Sequence, residues 1–509
     1  YLTIKSTLQT TAINALQKGL ESYDKRHGYR GPEQKIPLNI LTSPEKLQDL
    51  LKQTPVIANQ LPAIVLSVNN KVAKLEINDS KQINLTLDNA RWARTYKTVN
   101  SVSTPPQNLN EILSPGDLIR VKNENGTWKL TQLPEVEGAL VSITPKTGAI
   151  LALVGGYDFT KSKYNRVTQA KRQPGSNIKP FIYLAALDKG FTAASIFNDA
   201  PVVFQDPKLE TAWRPENSGG HFAGPTRLRV ALYTSRNLVS IRLLKATGIN
   251  DTIEFMKRFG FNPDQLPHNL TLALGSAILT PLQIARGYSI IANGGYKIKP
   301  YFISKVVDGN GKTLYAHPIP QICNPTCPKS SLATIDKTPP LKPVTDPREI
   351  FIMHSILKDV IKKGTGRRAR ILRRPDLAGK TGTTNDQKDA WFSGFNQNIE
   401  TTVWVGFDQP KTLGRHEYGA TAALPIWINY MRAALRNTPL ASMKQPDGIV
   451  SVRINPRTGK RTTIGNPKAI FEYFRKEHIP SIEKSPESNF QNTTQGQQRP
   501  SSVDEQLFQ

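Results

Sequence analysis

The run Arg172-Gln-Pro-Gly-Ser-Asn-Ile-Lys-Pro-Phe181 sets a serine and a lysine three residues apart at the point where a helix should begin. Pro174 and Gly175 break the preceding structure, and Ile178, Phe181, Tyr183, Leu184 and Leu187 then carry an apolar stripe at roughly helical spacing. One turn of helix brings Ser176 and Lys179 to the same face. Ser176 falls in the first turn, where the partial positive charge of the helix terminus favours an alkoxide, and Lys179 is placed to serve as its general base. This chemistry needs a sheet edge beside a helix-borne serine, so that an extended peptide can add as a strand and present its carbonyl to Ser176.

A lone Ser-x-x-Lys arises by chance in many long chains, but two further motifs accompany it. Ser235-Arg236-Asn237 lies downstream, and Lys380-Thr381-Gly382-Thr383 follows an apolar approach at Leu377-Ala378-Gly379. The pattern around the last motif predicts the missing sheet. Asp346-Pro-Arg-Glu349 resembles an acidic cap with proline at the first helical position and a following glutamate, and Ile350, Met353, Leu357 and Ile361 carry a helix to Gly364. Lys380 to Thr384, Ala390 to Phe395 and Thr401 to Phe407 then read as an antiparallel meander with a tight connection at Asn396-Gln-Asn398.

The three motifs in this order resemble the signature of class A β-lactamases and penicillin-binding proteins, in which the middle motif usually carries Asp where this chain has Arg236. Tyr23-Asp-Lys-Arg-His-Gly-Tyr-Arg-Gly-Pro32, Val136-Glu-Gly-Ala-Leu140, Leu153-Val-Gly-Gly-Tyr-Asp-Phe159, Leu272-Ala-Leu-Gly-Ser276 and Ala378-Gly-Lys-Thr-Gly-Thr-Thr-Asn-Asp386 resemble phrases of the bifunctional class A penicillin-binding proteins of the 1A type. The resemblance covers about residues 1 to 475. It implies an α+β multi-domain chain: a penicillin-binding, serine β-lactamase-like transpeptidase domain, its antiparallel sheet packed by helices, with a small OB-like β-barrel insert. It also implies a membrane anchor and a glycosyltransferase domain ahead of Tyr1, since the Glu-Asp-x-x-Phe-x-x-His-x-Gly motif of that domain is not in this sequence.

At 509 residues the length suggests about three domains. The expected division is a linker helix and domain start over 1–35, an OB-like β-domain over 36–136, the transpeptidase domain over 137–440, a C-terminal hairpin and helix extension over 441–480, and a disordered tail over 481–509, rich in Ser, Gln, Asn and Pro. Residues 1–24 read as a helix with Leu8, Ala12, Ile13, Leu16, Leu20 and Tyr23 along one side. Strands at 62–68, 72–77, 117–121 and 127–130, the last two flanking Asn125-Gly126, suggest a small barrel, a spacer or partner-docking module in preference to a direct substrate-binding one. Val141 to Gly148 and Val452 to Gly459 share a cadence that suggests one hairpin used twice.

Lysine and arginine number 67 against 40 acids, a formal charge of +27. The excess suits a polyanionic neighbourhood, but zinc-finger spacing, a basic zipper and an aromatic RNA-binding signature are all missing, which argues against nucleic acid. Its densest part, Lys362, Lys363, Arg367, Arg368, Arg370, Arg373 and Arg374, is either a solvated surface or an attractor of anionic lipid or acidic cell-wall polymer. Cys323 and Cys327 lack the partners a zinc site needs and read as a small loop disulfide, in keeping with an oxidising compartment such as a bacterial periplasm. No metal or organic cofactor is implied.

Acyl transfer assigns the following roles. Ser176 attacks, Lys179 in its neutral form takes the proton, Ser235 relays it to the departing amine, and Asn237 bonds a substrate amide. Lys380, Thr381 and Thr383 grip a carboxylate, Gly382 admits the substrate backbone, and the N–H groups of Ser176 and Thr383 form the oxyanion hole. Trp213, Glu216 and Asn217 are candidates for the groove, with core packing the competing reading for Trp213. His221 and His354 have no matched partners. The resemblance implies peptidoglycan stem peptides ending in D-Ala-D-Ala as substrate, β-lactams as mimics, an inner-membrane anchor, a periplasmic location and regulatory partners at the OB-like domain. A D-alanyl carboxypeptidase and a non-catalytic penicillin sensor remain alternatives. A class A β-lactamase does not fit, because neither Glu254 nor Glu349 has Asn four residues on.

Overall fold

Strands Asp389–Phe395 and Glu400–Gly406 bury every side chain, because helices cover both faces of the sheet to which they belong. The structure, a computed structural model, describes residues 1–203, 213–319 and 341–483. The five strands run in the order Ile150–Val154, Glu137–Ile143, Glu400–Gly406, Asp389–Phe395, Ala378–Thr383, every pair antiparallel. The expected meander is its right half, and the motif strand Ala378–Thr383 lies at the edge. On one face Ser6–His27 packs through Ala12, Leu16, Leu20 and Tyr23 together with Leu424–Ala434. The other face carries Lys179–Asp188, Pro281–Ala292 and Pro347–Lys362 around the larger core, centred on Phe181, Tyr288 and Met353.

The OB-like domain holds a six-stranded sheet ordered Gln34–Lys35, Asp117–Glu124, Leu61–Val68, Val72–Ile77, Lys81–Thr86, with Thr127–Thr131 also paired to Asp117–Glu124. Asn125 and Gly126 both take positive φ, 52° and 85°, as a two-residue hairpin turn demands. The expected barrel is not closed: among the described residues no ladder joins Lys81–Thr86 to Thr127–Thr131. The two strands lie close without pairing, and the Trp92 indole N–H donates to Leu130 O at 2.8 Å.

Helix Pro347–Lys362 starts as expected, with Asp346 accepting from the Arg348 backbone N–H. Glu349 does not complete a capping box, since it accepts from the Thr345 hydroxyl at 2.6 Å and pairs with Arg475, tying the helix to strand Ile470–Arg475. The repeated cadence gives the same turn twice: Gly148 N–H bonds Thr144 O and Gly459 N–H bonds Asn455 O, both at 2.9 Å. The first turn leads into the full strand Ile150–Val154, whereas after Gly459 the chain returns only as a short antiparallel bridge, Ile454 opposite Arg461, and the main partner of Ile449–Ile454 is Ile470–Arg475. Ser481–Glu483, expected to begin a disordered tail, bonds back onto Arg461 and Asn455. Cys323, Cys327 and residues 484–509 lie outside the described residues. Among the described residues no helix is long and apolar enough to cross a membrane.

Candidate active site

Ser176 sits half-buried on a 3₁₀ turn, Gly175–Ile178, that leads into the buried helix Lys179–Asp188. Backbone contact, free of intervening side chains, seats this turn on the edge strand. Gly175 has φ +54°, and a Cβ there would lie 2.4 Å from Thr383 O. A Cβ on Gly382 would lie 2.4 Å from Pro174 O and 2.8 Å from the Asn177 Cβ. Gly382 is thus needed for the approach of the serine turn itself. Behind the turn, Arg172 anchors the chain through the carbonyls of Phe407 and Asp408, an ion pair with Asp389 at 3.1 Å, and a stack 4.8 Å above the Trp404 ring.

The residue after Ser176 is held from beneath. Asn177, fully buried, donates to Ser393 Oγ at 2.8 Å, and Ser393, Thr402 and Glu400 continue a buried hydroxyl chain across the sheet, while Tyr288 OH donates to Asn177 O and Oδ1 at 2.7 Å. Burial pushes the Glu400 carboxyl well above the ordinary carboxylate range.

The second motif occupies the junction between helices Leu228–Tyr233 and Asn237–Thr247. Ser235 adopts φ +63°, a left-handed conformation that costs a non-glycine residue on the order of 1 kcal/mol or more and clusters at functional sites. The conformation lets one residue serve both lysines. Its carbonyl accepts from Lys179 Nζ at 3.0 Å and its hydroxyl accepts from Lys380 Nζ at 2.8 Å. Lys179 Nζ also donates to Asn237 Oδ1 at 2.7 Å and Arg236 O at 3.2 Å. Lys179, Ser235, Asn237 and Lys380 therefore form one connected cluster, one helical turn from Ser176. Thr383 Oγ1 accepts from Gly419 N–H at 3.0 Å, and the Thr381 and Thr365 hydroxyls are 2.7 Å apart.

Both lysines are completely buried, with Lys179 Nζ engaged by neutral acceptors. Burial, then the charge of Lys380, hold the Lys179 amine well below the usual lysine range, opposed in part by Asp199. Burial pushes Lys380 down to about 7. Measured against an ordinary lysine at about 10.4, this disfavours the ammonium by roughly 5 kcal/mol at low pH. The unfolded chain then binds the extra proton between about pH 7 and 10, so this lysine makes the fold gain stability as pH rises through that window. A Lys380→Met protein is expected to melt higher at pH 7, by about 2–4 °C per kcal/mol recovered, with a flatter dependence of stability on alkaline pH. Thermal melts between pH 6 and 10 check this, and a lower melting point would show that the bonds to Ser235 and Thr381 outweigh the buried charge.

Of the groove candidates, Asn217 turns out to support the cluster. Its Oδ1 accepts from the backbone N–H of Asn237 at 2.9 Å, capping that helix from another segment, and its Nδ2 donates to Asp199 Oδ1 at 2.7 Å. Glu216 contributes its carbonyl, which accepts from Asn237 Nδ2 at 2.8 Å. Trp213 is half-buried against the main core. His221 supplies only its carbonyl, to Asn217 and Arg236, and His354 is buried beside Phe395 with its pKa lowered to about 4 by burial. Sequence reasoning missed Asp199, fully buried in Phe197-Asn-Asp-Ala-Pro201 and bonded to Asn217 and the Ala223 N–H. No local motif marks it; its role comes from long-range folding. Arg172, Asn177 and Tyr288 were missed for the same reason.

Comparison with known proteins identifies both domains. Residues 138–432 match the penicillin-binding protein transpeptidase domain, and residues 29–136 the penicillin-binding protein OB-like domain. Penicillin-binding protein 1A of Pseudomonas aeruginosa is 46% identical over 96% of this chain, and that of Neisseria lactamica 40% over 94%. The chain spans 63% and 56% of the length of these two relatives. The crystal structure of penicillin-binding protein 1A from Haemophilus influenzae superposes with a TM-score of 0.86 at 36% identity, covering 95% of this chain and 73% of that one. With more than half its length in the transpeptidase match and the OB-like match directly before it, the chain belongs to the penicillin-binding protein transpeptidase family.

Proposed function

We propose that the chain is a serine D,D-transpeptidase that crosslinks peptidoglycan stem peptides through an acyl-enzyme on Ser176. The observation that carries this reading is the buried cluster in which Lys179 and Lys380 share Ser235 one turn from Ser176. Ser176 Oγ attacks the carbonyl carbon of the penultimate D-alanine while Lys179 Nζ accepts its proton. The N–H groups of Ser176 and Thr383 hold the resulting oxyanion. As the C–N bond breaks, the proton passes by way of Ser235 to the amine of the departing D-alanine, leaving an ester on Ser176. An amine of a neighbouring stem then attacks the ester, expels Ser176 Oγ and forms the crosslink. Lys380, Thr381 and Thr383 bind the terminal carboxylate of the donor. β-Lactams enter the same site as mimics of D-Ala-D-Ala and leave a stable ester. In the cell the chain works in the periplasm, joined to the inner membrane by sequence preceding it, with regulatory partners at the OB-like domain.

Intact mass after incubation with a penicillin, followed by peptide mapping, tests the reading. One adduct is expected, on the peptide that contains Ser176, and a stem-peptide donor with an added amine should yield crosslinked product in excess of hydrolysed donor. A protein that gains no mass, or that only hydrolyses the donor at saturating amine, is not this transpeptidase.

The close approach at Gly382 gives a second expectation. Gly382→Ala introduces a Cβ into contact with Pro174 O, so the serine turn must move away from the strand. A misplacement near 1 Å lowers the rate about 100-fold. Penicillin acylation kinetics beside a melting curve check this, and an unchanged rate would mean that the turn and strand are not rigidly registered.

A further inference from the structure

Two clefts of about 640 and 690 Å³ adjoin on the exposed face of helix Ser6–His27, with Ser22 and Arg26 in the wall of both. The first lies between this helix and the OB-like sheet and is lined by Lys18, Lys25, Trp92, Arg94 and Lys122. The second lies between the hairpin at 96–102 and the segment 415–425, with Arg368, Arg415 and His416 on its wall.

The charge of this surface is lopsided. Its carboxylates are already in ion pairs: Glu21 with Lys122 at 3.3 Å, Glu124 with Lys129 at 2.6 Å, Glu417 with Arg26 at 2.9 Å. Among the described residues Lys18, Lys25, Arg94, Arg368 and Arg415 form no ion pair within 4 Å, although Lys25 is near enough to Glu124 to act on its charge. These cations do not converge on one point. Lys18 and Lys25 stand two turns apart on the helix, about 10 Å at 1.5 Å per residue, and Arg94, Arg368 and Arg415 carry the charge onto other segments and into the second cleft, a spread that suits a polymer better than a small anion. Trp92 lies among them with Lys25 Nζ 5.5 Å from its ring, and an indole in a polar cleft offers an apolar plate with a polar rim.

The far end of the surface adjoins the chemistry. The segment that carries Arg415 and His416 continues to Gly419, whose N–H donates to Thr383 Oγ1 at 3.0 Å, and to Ala420, whose carbonyl accepts from Arg368 at 3.4 Å.

We propose that the joined clefts bind a peptidoglycan strand through the carboxylates of its stem peptides, with a sugar stacked on Trp92, and lead the stems toward Ser176. The inference rests on the transpeptidase reading above and names where the polymer lies outside the catalytic groove. A membrane plane cannot enter a cleft between two domains, whereas a strand with widely spaced carboxylates matches widely spaced cations.

The test measures binding of uncrosslinked glycan strands to the whole chain, in three forms. In the cleft variant Lys18→Glu/Lys25→Glu/Arg94→Glu, affinity for stem-bearing strands should fall on the order of tenfold, a few exposed charge pairs each contributing a little. A control with the same change of net charge far from the cleft, Lys460→Glu/Lys468→Glu/Lys476→Glu, should bind as the wild type does. Strands stripped of their stems by an amidase should bind the wild type weakly, and added salt should weaken binding of intact strands. Melting curves establish that each variant is folded, and glutamine in place of glutamate serves if a reversal does not fold. The proposal fails if the cleft variant binds like the wild type, if the control loses as much, if stripped strands bind equally well, or if vesicles of phosphatidylglycerol bind and strands do not. Penicillin acylation of the wild type separates the two failures. Acylation with strand binding indifferent to the cleft charges sinks only this inference, and no acylation sinks the transpeptidase reading with it.

Discussion

A Lys179→Arg protein is expected to fold and to lose nearly all acylation by penicillin at every pH tested. Arginine keeps a positive charge among the acceptors Asn237 Oδ1, Ser235 O and Arg236 O but has no accessible neutral state with which to take a proton. In the wild type, the three acceptors match the three donors of an ammonium, while burial and Lys380 hold the amine well below its usual range. The neutral form donates to two of them and frees its lone pair for Ser176. Acylation should therefore rise with pH through an apparent value well below that of free lysine, and this rise should vanish in the variant. Rates from pH 5 to 10, with a melt at each pH, provide the check. Near-wild-type acylation by the folded variant would mean that Lys179 acts only by hydrogen bonding and charge.

Ser176→Ala should abolish covalent labelling altogether. Ser235 is the competing hydroxyl in the cluster, and like Ser176 it is half-buried just ahead of a helix. What sets it apart is that its hydroxyl accepts from Lys380 while its carbonyl accepts from Lys179, which suits the relay proposed above. Intact mass should show no adduct in Ser176→Ala, and slowed but measurable labelling in Ser235→Ala. Stoichiometric labelling of Ser176→Ala, mapped elsewhere, would overturn the assignment of the nucleophile.

What could be read from the sequence follows from how local each signal is. Period and punctuation mark the helices at Ser6–His27 and Pro347–Lys362 and the meander over residues 378–406, because each is specified within its own stretch of chain. The Ser-x-x-Lys pair is legible for the same reason. The supporting residues are not. Asp199, Arg172 and Asn217 act on partners many residues away, and their neighbours in sequence have no pattern that announces this. The barrel expectation failed on a tertiary detail, Lys81–Thr86 and Thr127–Thr131 lying close without pairing. Gly382 looked like room for substrate because a motif does not reveal which backbone will approach it; here it is the chain's own Pro174.

The edge strand Ala378–Thr383 has a consequence for how such a chain tolerates change. Its pairing sets Lys380 opposite Ser393 and Gly382 opposite Trp391, and side chains alternate between the two faces. A single-residue insertion or deletion within Ala378–Thr383 would therefore turn the lysine away from Ser235 or put a threonine against Pro174, breaking the Lys380–Ser235 bond or the seat of the Ser176 turn. The 3₁₀ turn Arg367–Leu372 just upstream, mostly exposed and packed through Ala369, has no such two-fold constraint. Length variation among natural relatives should thus accumulate in the turn and stop short of the strand, leaving a boundary between freely drifting and frozen sequence only a few residues from Lys380.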